Sequence, residues 1–314
     1  MTNKPSEVAT FELSTLQSSI DGWDDRLMRL IRTAFDPSRR MTTAAKVTYA
    51  TERATELAEN LDAVKREIAQ ACSSAQRTQE PRLVVVSKLK PPSDILALHE
   101  KTSHLHFGEN YVQELVDKAS ILPASIRWRF IGSLQSNKCK VLAAIPNLAA
   151  VETLDSVKKA DLFERALSGE SDDRKLAVYL QVNTSGEESK SGLPILADRN
   201  ADGELAHLAL HVLDHCPHLE LQGLMTIGAY DNSNAPPGSP ENADFRSLRE
   251  CRDALKEKLG DRLPSLELSM GMSSDFADAI RSGSDNIRVG SKLMGSRPSK
   301  AEAKEAREQQ KVSA

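Results

Sequence analysis

The chain has 314 residues, 39% hydrophobic and 27% charged, an ordinary globular composition. A net charge of −4 gives no basic footprint for nucleic acid or an anionic membrane, and no apolar run approaches the roughly 20 residues that span a bilayer. The spacing of Cys72, Cys139, Cys216 and Cys251, with no C-x-x-C pair, resembles neither a zinc motif nor a disulfide framework, so free thiols in a reducing, cytoplasmic setting are expected.

Residues 1–46 read as an extension expected to be disordered. Residues 1–40 hold six acidic and six basic residues, unlike an acid-poor mitochondrial transit peptide. Residues 23–35 can nonetheless form a short amphipathic helix, which leaves a mitochondrial share open, and Met41 is a candidate alternative start. From 47 to about 76 the period becomes helical. Leu57, Leu61, Val64 and Ile68 form one apolar stripe.

A regular alternation follows. The β-branched run at 83–87 predicts a buried strand, and Ser93 is a candidate N-cap for a helix over 94–100. Strands are then expected at 105–107, 128–131, 149–152, 176–182, 221–226, 266–269 and 286–289. The helices between them are expected at 111–120, 137–144, 156–167, 204–213, 243–259 and 275–282. Eight such units predict an α/β fold, a (β/α)8 TIM barrel with an extra N-terminal helix over 47–298; a doubly wound open sheet is the alternative. The polar loops 168–174 and 231–240 are expected to be mobile, and 299–314 forms a charged tail.

In a barrel of this kind the C-terminal ends of the strands form the site. Lys88 follows the first strand directly, where desolvation favours a neutral, nucleophilic amine; the alternative is a lysine whose stem merely covers the barrel mouth. Ser273, Ser274, Gly290 and Ser291 follow the last two strands and supply hydroxyls and backbone N–H groups for a phosphate, unless they only shape turns. A lysine facing a phosphate cradle suggests a phosphorylated carbonyl ligand, either pyridoxal 5′-phosphate or a phosphosugar. His207, His211 and His215 recur every four residues on one predicted helix, but no carboxylate or cysteine evidently completes a set, so a solvated face is expected and no metal site.

Seven segments carry a resemblance. They are VSKLKP at 86–91, FGENYVQE at 107–114, FIGSLQSNK at 130–138, QVNTSGEESKSG at 181–192, GLMTIG at 223–228, SMGMSSDF at 269–276 and IRVGS at 287–291. Together they resemble the pyridoxal phosphate homeostasis protein family, itself similar to the N-terminal barrel of alanine racemase. The resemblance implies pyridoxal 5′-phosphate (PLP) as cofactor, with Lys88 as the Schiff-base residue and Lys90 a solvated neighbour. It implies Asn110 near the ring, Ser273, Gly290 and Ser291 on the phosphate, and Arg288 facing the pyridine nitrogen. A guanidinium there disfavours a protonated ring and so weakens the electron sink. Two positions depart from the family pattern. Ser133 stands where a histidine is usual, and Lys292-Leu-Met294 replaces a small-apolar-aromatic step.

The resemblance implies a carrier that buffers PLP and passes it to apo-enzymes, expected to be monomeric. The alternative is an enzyme such as an amino-acid racemase. That chemistry needs a second base, a tyrosine on a further C-terminal domain, and Tyr49, Tyr111, Tyr179 and Tyr230 are expected to lie outside any such domain.

Overall fold

The structure, a computed structural model, describes residues 47–169, 174–196, 203–229, 241–263 and 265–296. The extension 1–46, Tyr230, the loop 231–240 and the tail 299–314 lie outside the described residues, as do 170–173 of the loop at 168–174.

Helix α1 (Thr51–Ser74) buries Leu57, Leu61, Val64 and Ile68 together with Ala54, Ala71 and Cys72, the stripe expected from the sequence. The barrel follows: β1 (Arg82–Val86), β2 (His106–Glu109), β3 (Arg127–Phe130), β4 (Leu148–Leu154) and β5 (Leu176–Asn183). A two-residue strand β6 (Leu193–Pro194) adds to the end of β5, pairing Leu193 with Val182, and was not expected. Then come β7 (Leu219–Met225), β8 (Glu267–Ser269) and β9 (Asn286–Val289). The pairings are parallel, and β1–β9 and β4–β5 contacts complete the ring, so eight strands close into a barrel. The open-sheet alternative is excluded.

Helices α2 (Pro92–Thr102), α3 (Val112–Ile121), α4 (Cys139–Ala143), α5 (Val157–Leu167), α6 (Glu204–His215), α7 (Ala243–Leu259) and α8 (Phe276–Arg281) lie between the strands, and α9 (Ser291–Met294) follows β9. Helix α1 packs on α2, α8 and α9, covering the barrel where its first and last strands meet. Helix α2 begins two residues before the expected start: Pro91 occupies the cap position, and Pro92 opens the first turn, where a missing N–H costs nothing. Ser93 therefore lies inside the helix rather than capping it. Among the described residues, no helix is long and apolar enough to cross a membrane.

Strand alternation sorts the side chains into two environments. Leu83, Val85, Phe107, Trp128, Phe130, Val178, Leu180, Leu224, Leu268, Ile287 and Val289 join the continuous apolar layer between barrel and helices. The intervening residues face the barrel axis, and many of them are polar: Arg82, His106, Arg129, Glu152, Tyr179, Glu267, Ser269, Asn286 and Arg288. Ala150, Tyr179 and Met225 form a small apolar cluster among them.

Candidate functional site at the barrel mouth

Register places the expected site residues at one end of the barrel. Val86 pairs with Gly108, and Val85 with Val289, so Lys88, Asn110 and the Gly290–Ser291 turn emerge side by side from β1, β2 and β9. Lys88 is half-buried. Asn110 is half-buried too, and its Oδ1 is inaccessible to solvent and has no hydrogen-bond partner among the described residues. The backbone of Gly132 crosses beside it: a Cβ at position 132 would lie 1.9 Å from the Asn110 carbonyl oxygen, so only glycine fits this approach.

The loops after β8 and β9 meet. The Gly290 N–H donates to Ser273 Oγ at 3.0 Å, and a Cβ on Gly290 would lie 3.3 Å from Val86 Cβ, so the turn sits tightly over the end of β1. Ser291 is exposed as the first residue of α9. Ser273, Gly290 and Ser291 thus form one hydroxyl and N–H lined rim.

Arg288 lies inside the barrel and is only 4% exposed. Its guanidinium donates to Ser269 Oγ at 2.5 Å and to the Thr226 carbonyl at 2.6 Å. Burial draws it below its usual pKa range, while Glu152 and Asp275 favour its charged form. Glu152 is fully buried and accepts from Arg129 Nε at 2.5 Å, from Ser269 Oγ at 2.6 Å and from Asn286 Nδ2 at 3.1 Å. Burial works against its charge, yet Arg129 and Arg288 hold its carboxyl below the usual range. Arg288 is therefore oriented from beneath by Ser269, whose hydroxyl bridges it to Glu152.

A second buried network holds the loop that carries Lys88, and it was not foreseen. Lys118 Nζ donates to the Ser87 carbonyl at 2.8 Å, to Glu109 Oε1 at 2.7 Å and to Glu114 Oε1 at 2.7 Å. Ser87 Oγ donates to Glu109 at 2.6 Å, and the Leu89 N–H donates to Glu114 at 2.7 Å. Lys88 is thus bracketed on both sides by fixed backbone. Leu89 takes φ +60°, a left-handed conformation costly for a branched side chain, and the Glu114 contact holds it there. The signal was the spacing of Glu114 and Lys118, four residues apart on one helix face, with Glu109 in the same motif.

At the mouth, by the ends of β3, β5 and β7, lies a cavity of about 220 Å³, bordered by Ser133, Gln181, Thr184, Lys190, Thr226 and Gly228. Neither Lys88 nor Arg288 borders it, but Thr226 does, and its carbonyl accepts from Arg288. Lys190 spans the rim, donating to Glu187 at 2.6 Å and to the Gly228 carbonyl at 2.7 Å.

The alanine racemase N-terminal domain profile matches residues 60–298. The pyridoxal phosphate homeostasis proteins of Caenorhabditis elegans and Homo sapiens are 43% and 42% identical to the chain, covering 73% and 76% of it and 91% and 85% of themselves. The chain belongs to the pyridoxal phosphate homeostasis protein family. Among solved structures, PipY of Synechococcus elongatus with PLP bound is similar at 28% identity and a TM-score of 0.57, over 76% of this chain and 100% of PipY. Alanine racemase from Clostridium difficile, 16% identical with a TM-score of 0.58, shares the fold over 78% of this chain and 58% of its own.

Ser133 is exposed and borders the 220 Å³ cavity, outside the buried core. Lys292 points outward: its ammonium pairs with Glu67 of α1 and lies 5.3 Å from the Phe276 ring centroid. Leu293 and Met294 beneath it are buried. The lysine ties the rim turn to α1 and leaves the packing below intact.

Proposed function

We propose that this chain binds PLP at the barrel mouth, holds it as a Schiff base on Lys88, and serves as a carrier that buffers the cofactor and yields it to apo-enzymes. The observation that carries this reading is the meeting of Lys88, Asn110, Arg288 and the Ser273–Gly290 pair on adjoining strand ends. The buried Asn110 Oδ1 without a partner is what a ligand polar group would satisfy. The Ser273–Gly290 rim fits a phosphate, and Arg288 would stand toward the ring nitrogen. Bound PLP supplies an aldehyde for the lysine and an electron sink whose strength depends on ring protonation.

The protein's own groups favour holding over turnover. Arg288 is kept cationic by Glu152 and by its bonds to Ser269 and Thr226, and a cation beside the ring nitrogen opposes its protonation. Tyr179 donates to Glu267 at the far end of the barrel, and Tyr49 donates to Glu100, so both hydroxyls are engaged elsewhere. Tyr111, which is 52% exposed next to Asn110, is the described tyrosine nearest the mouth.

The test compares transfer with turnover. The PLP-loaded protein should restore activity to an apo-enzyme that requires PLP, while its own exchange of an amino acid's α-proton stays far below the enzyme median of about 10 s⁻¹. Exchange or racemisation near that rate, lost in Tyr111→Phe, would replace the carrier with an enzyme.

A further inference from the structure

Four of the seven histidines fall within residues 207–218, at the end of α6 and in the turn into β7. This turn leads into the N-terminal end of β7, so it lies at the base of the barrel, away from Lys88. Helix α5 packs against α6 here and brings acidic side chains to the histidines. Glu164 is taken by His218, which donates its backbone N–H at 2.9 Å and places Nδ1 2.6 Å from the carboxylate. The other carboxylate, Asp161, lies 2.6 Å from His211 Nε2.

Cys216, the residue that ends α6, completes a set that spacing along one helix could not show. One ligand atom from each of Asp161, His211 and Cys216 lies within 4.8 Å of the others. The His215 ring is 5.0 Å from that of His211, centroid to centroid, and His215 is exposed. Cys216 is 2% exposed, His211 is half-buried and Asp161 is exposed, so the sulfur forms the floor of the group and the carboxylate its open edge. An ion could enter from solvent without unfolding the helices.

The donor types select the metal class. Calcium and magnesium want six or more oxygens, whereas one sulfur, one imidazole and one carboxylate make a borderline-soft set suited to zinc. Zinc bonds of about 2.0–2.3 Å at tetrahedral angles put ligand atoms roughly 3.3–3.7 Å apart. A separation near the 4.8 Å bound would have to close by about 1 Å, and the histidine–aspartate pair at 2.6 Å would have to open by somewhat less. Rotation of the exposed Asp161 side chain can open the histidine–aspartate pair.

We propose that Asp161, His211 and Cys216 form a zinc-type metal site that clamps α5 to the end of α6, with water or His215 in the fourth position. On binding, the Cys216 thiol releases its proton to solvent and the thiolate, the neutral imidazole and the carboxylate donate to the ion. The clamp ties together two helices of the outer ring and is independent of the cofactor reading.

The experiment uses the full chain without an affinity tag, loaded with PLP, stripped with a chelator and titrated with Zn²⁺ alone. One equivalent should bind and raise the melting temperature by several degrees at saturating zinc. Substituting Co²⁺ should give a sulfur-to-metal charge-transfer band that Cys216→Ser abolishes. Asp161→Asn and His211→Gln should each weaken zinc binding by more than about 100-fold, with unchanged far-UV dichroism showing that the fold holds. Lys88→Ala should bind zinc as the unaltered chain does. The proposal is overturned if zinc produces no stoichiometric binding, if Asp161→Asn and His211→Gln bind it unchanged, or if binding is lost with Lys88→Ala, which would put the ion on the cofactor.

Discussion

The inside of the barrel and the layer outside it are built on opposite terms from the same strands. Outside, side chains such as Val178, Leu180 and Leu268 are fully buried among helix residues in one continuous apolar cluster. Inside, charge runs from one end of the barrel to the other. Arg82 pairs with Glu267 at 2.7 Å near the base, Arg129 lies 5.3 Å from the Tyr179 ring and bonds Glu152, and Ser269 relays Glu152 to Arg288 below the mouth. The outer layer stabilises by area removed from water. The inner column contributes little net stability, since desolvating charges offsets much of their attraction; it fixes the position and charge of Arg288.

Removing one member from each region separates the two roles. Glu152→Ala leaves Arg129 and Arg288 buried without their shared anion and should cost about 3–5 kcal/mol in chemical denaturation. It should also shift the absorption of bound PLP. Leu180→Ala leaves a cavity and should cost a similar amount, about 2–5 kcal/mol, with the PLP spectrum unchanged. A spectral change from Leu180→Ala, or none from Glu152→Ala, would show that the column does not govern the site.

A smaller effect follows from pH. Burial holds the His106 imidazole down to about 3, aided by Arg129 and Arg82, and burial holds His104 down to about 4. Both are therefore neutral in the folded protein near pH 6.5, where an unfolded histidine begins to take up a proton. Stability is complete above that pH and is lost as pH falls toward 4, by up to about 1.4 kcal/mol per unit for His104 and by less for the partly exposed His106, where solvent screens the effect. Thermal melts between pH 7 and pH 5 should show this decline, and His104→Phe should make it shallower.

The smallest effect belongs to the periphery. Lys292→Ala removes an exposed pair with Glu67 and should cost less than about 1 kcal/mol, read from the denaturation midpoint. PLP affinity should hold, because Leu293 and Met294 keep α9 seated.

The outer layer was the legible part of the sequence. Helical stripes such as Leu57–Leu61–Val64–Ile68 and β-branched runs such as Leu83–Val86 express themselves as local periodicity, and all eight barrel strands lie within two residues of expectation. The candidate site residues were placed for a related reason: Lys88, Asn110, Ser273 and Gly290 sit at strand ends, so locating the strands locates them. The inner column was not. Arg129 and Glu152 stand 23 residues apart, and nothing local says that a strand's second face looks onto another charge rather than onto solvent. The Glu109–Lys118–Glu114 network was half visible as an i,i+4 pair, but its target, the backbone at Ser87, belongs to a different strand end. Asp161 escaped for the same reason, since only packing of α5 on α6 brings it to His211, and Cys216 follows as the C-cap of α6, off the four-residue spacing of the histidines.

Borohydride reduction followed by peptide mass spectrometry identifies the lysine that carries the cofactor. Lys90 donates to the Ser296 carbonyl at 2.7 Å, and Lys190 is tied to Glu187 and Gly228 across the cavity. A pyridoxyl adduct is expected on Lys88, absent in Lys88→Ala although that variant still folds. An adduct confined to Lys90 or Lys190 in the unaltered protein would contradict it.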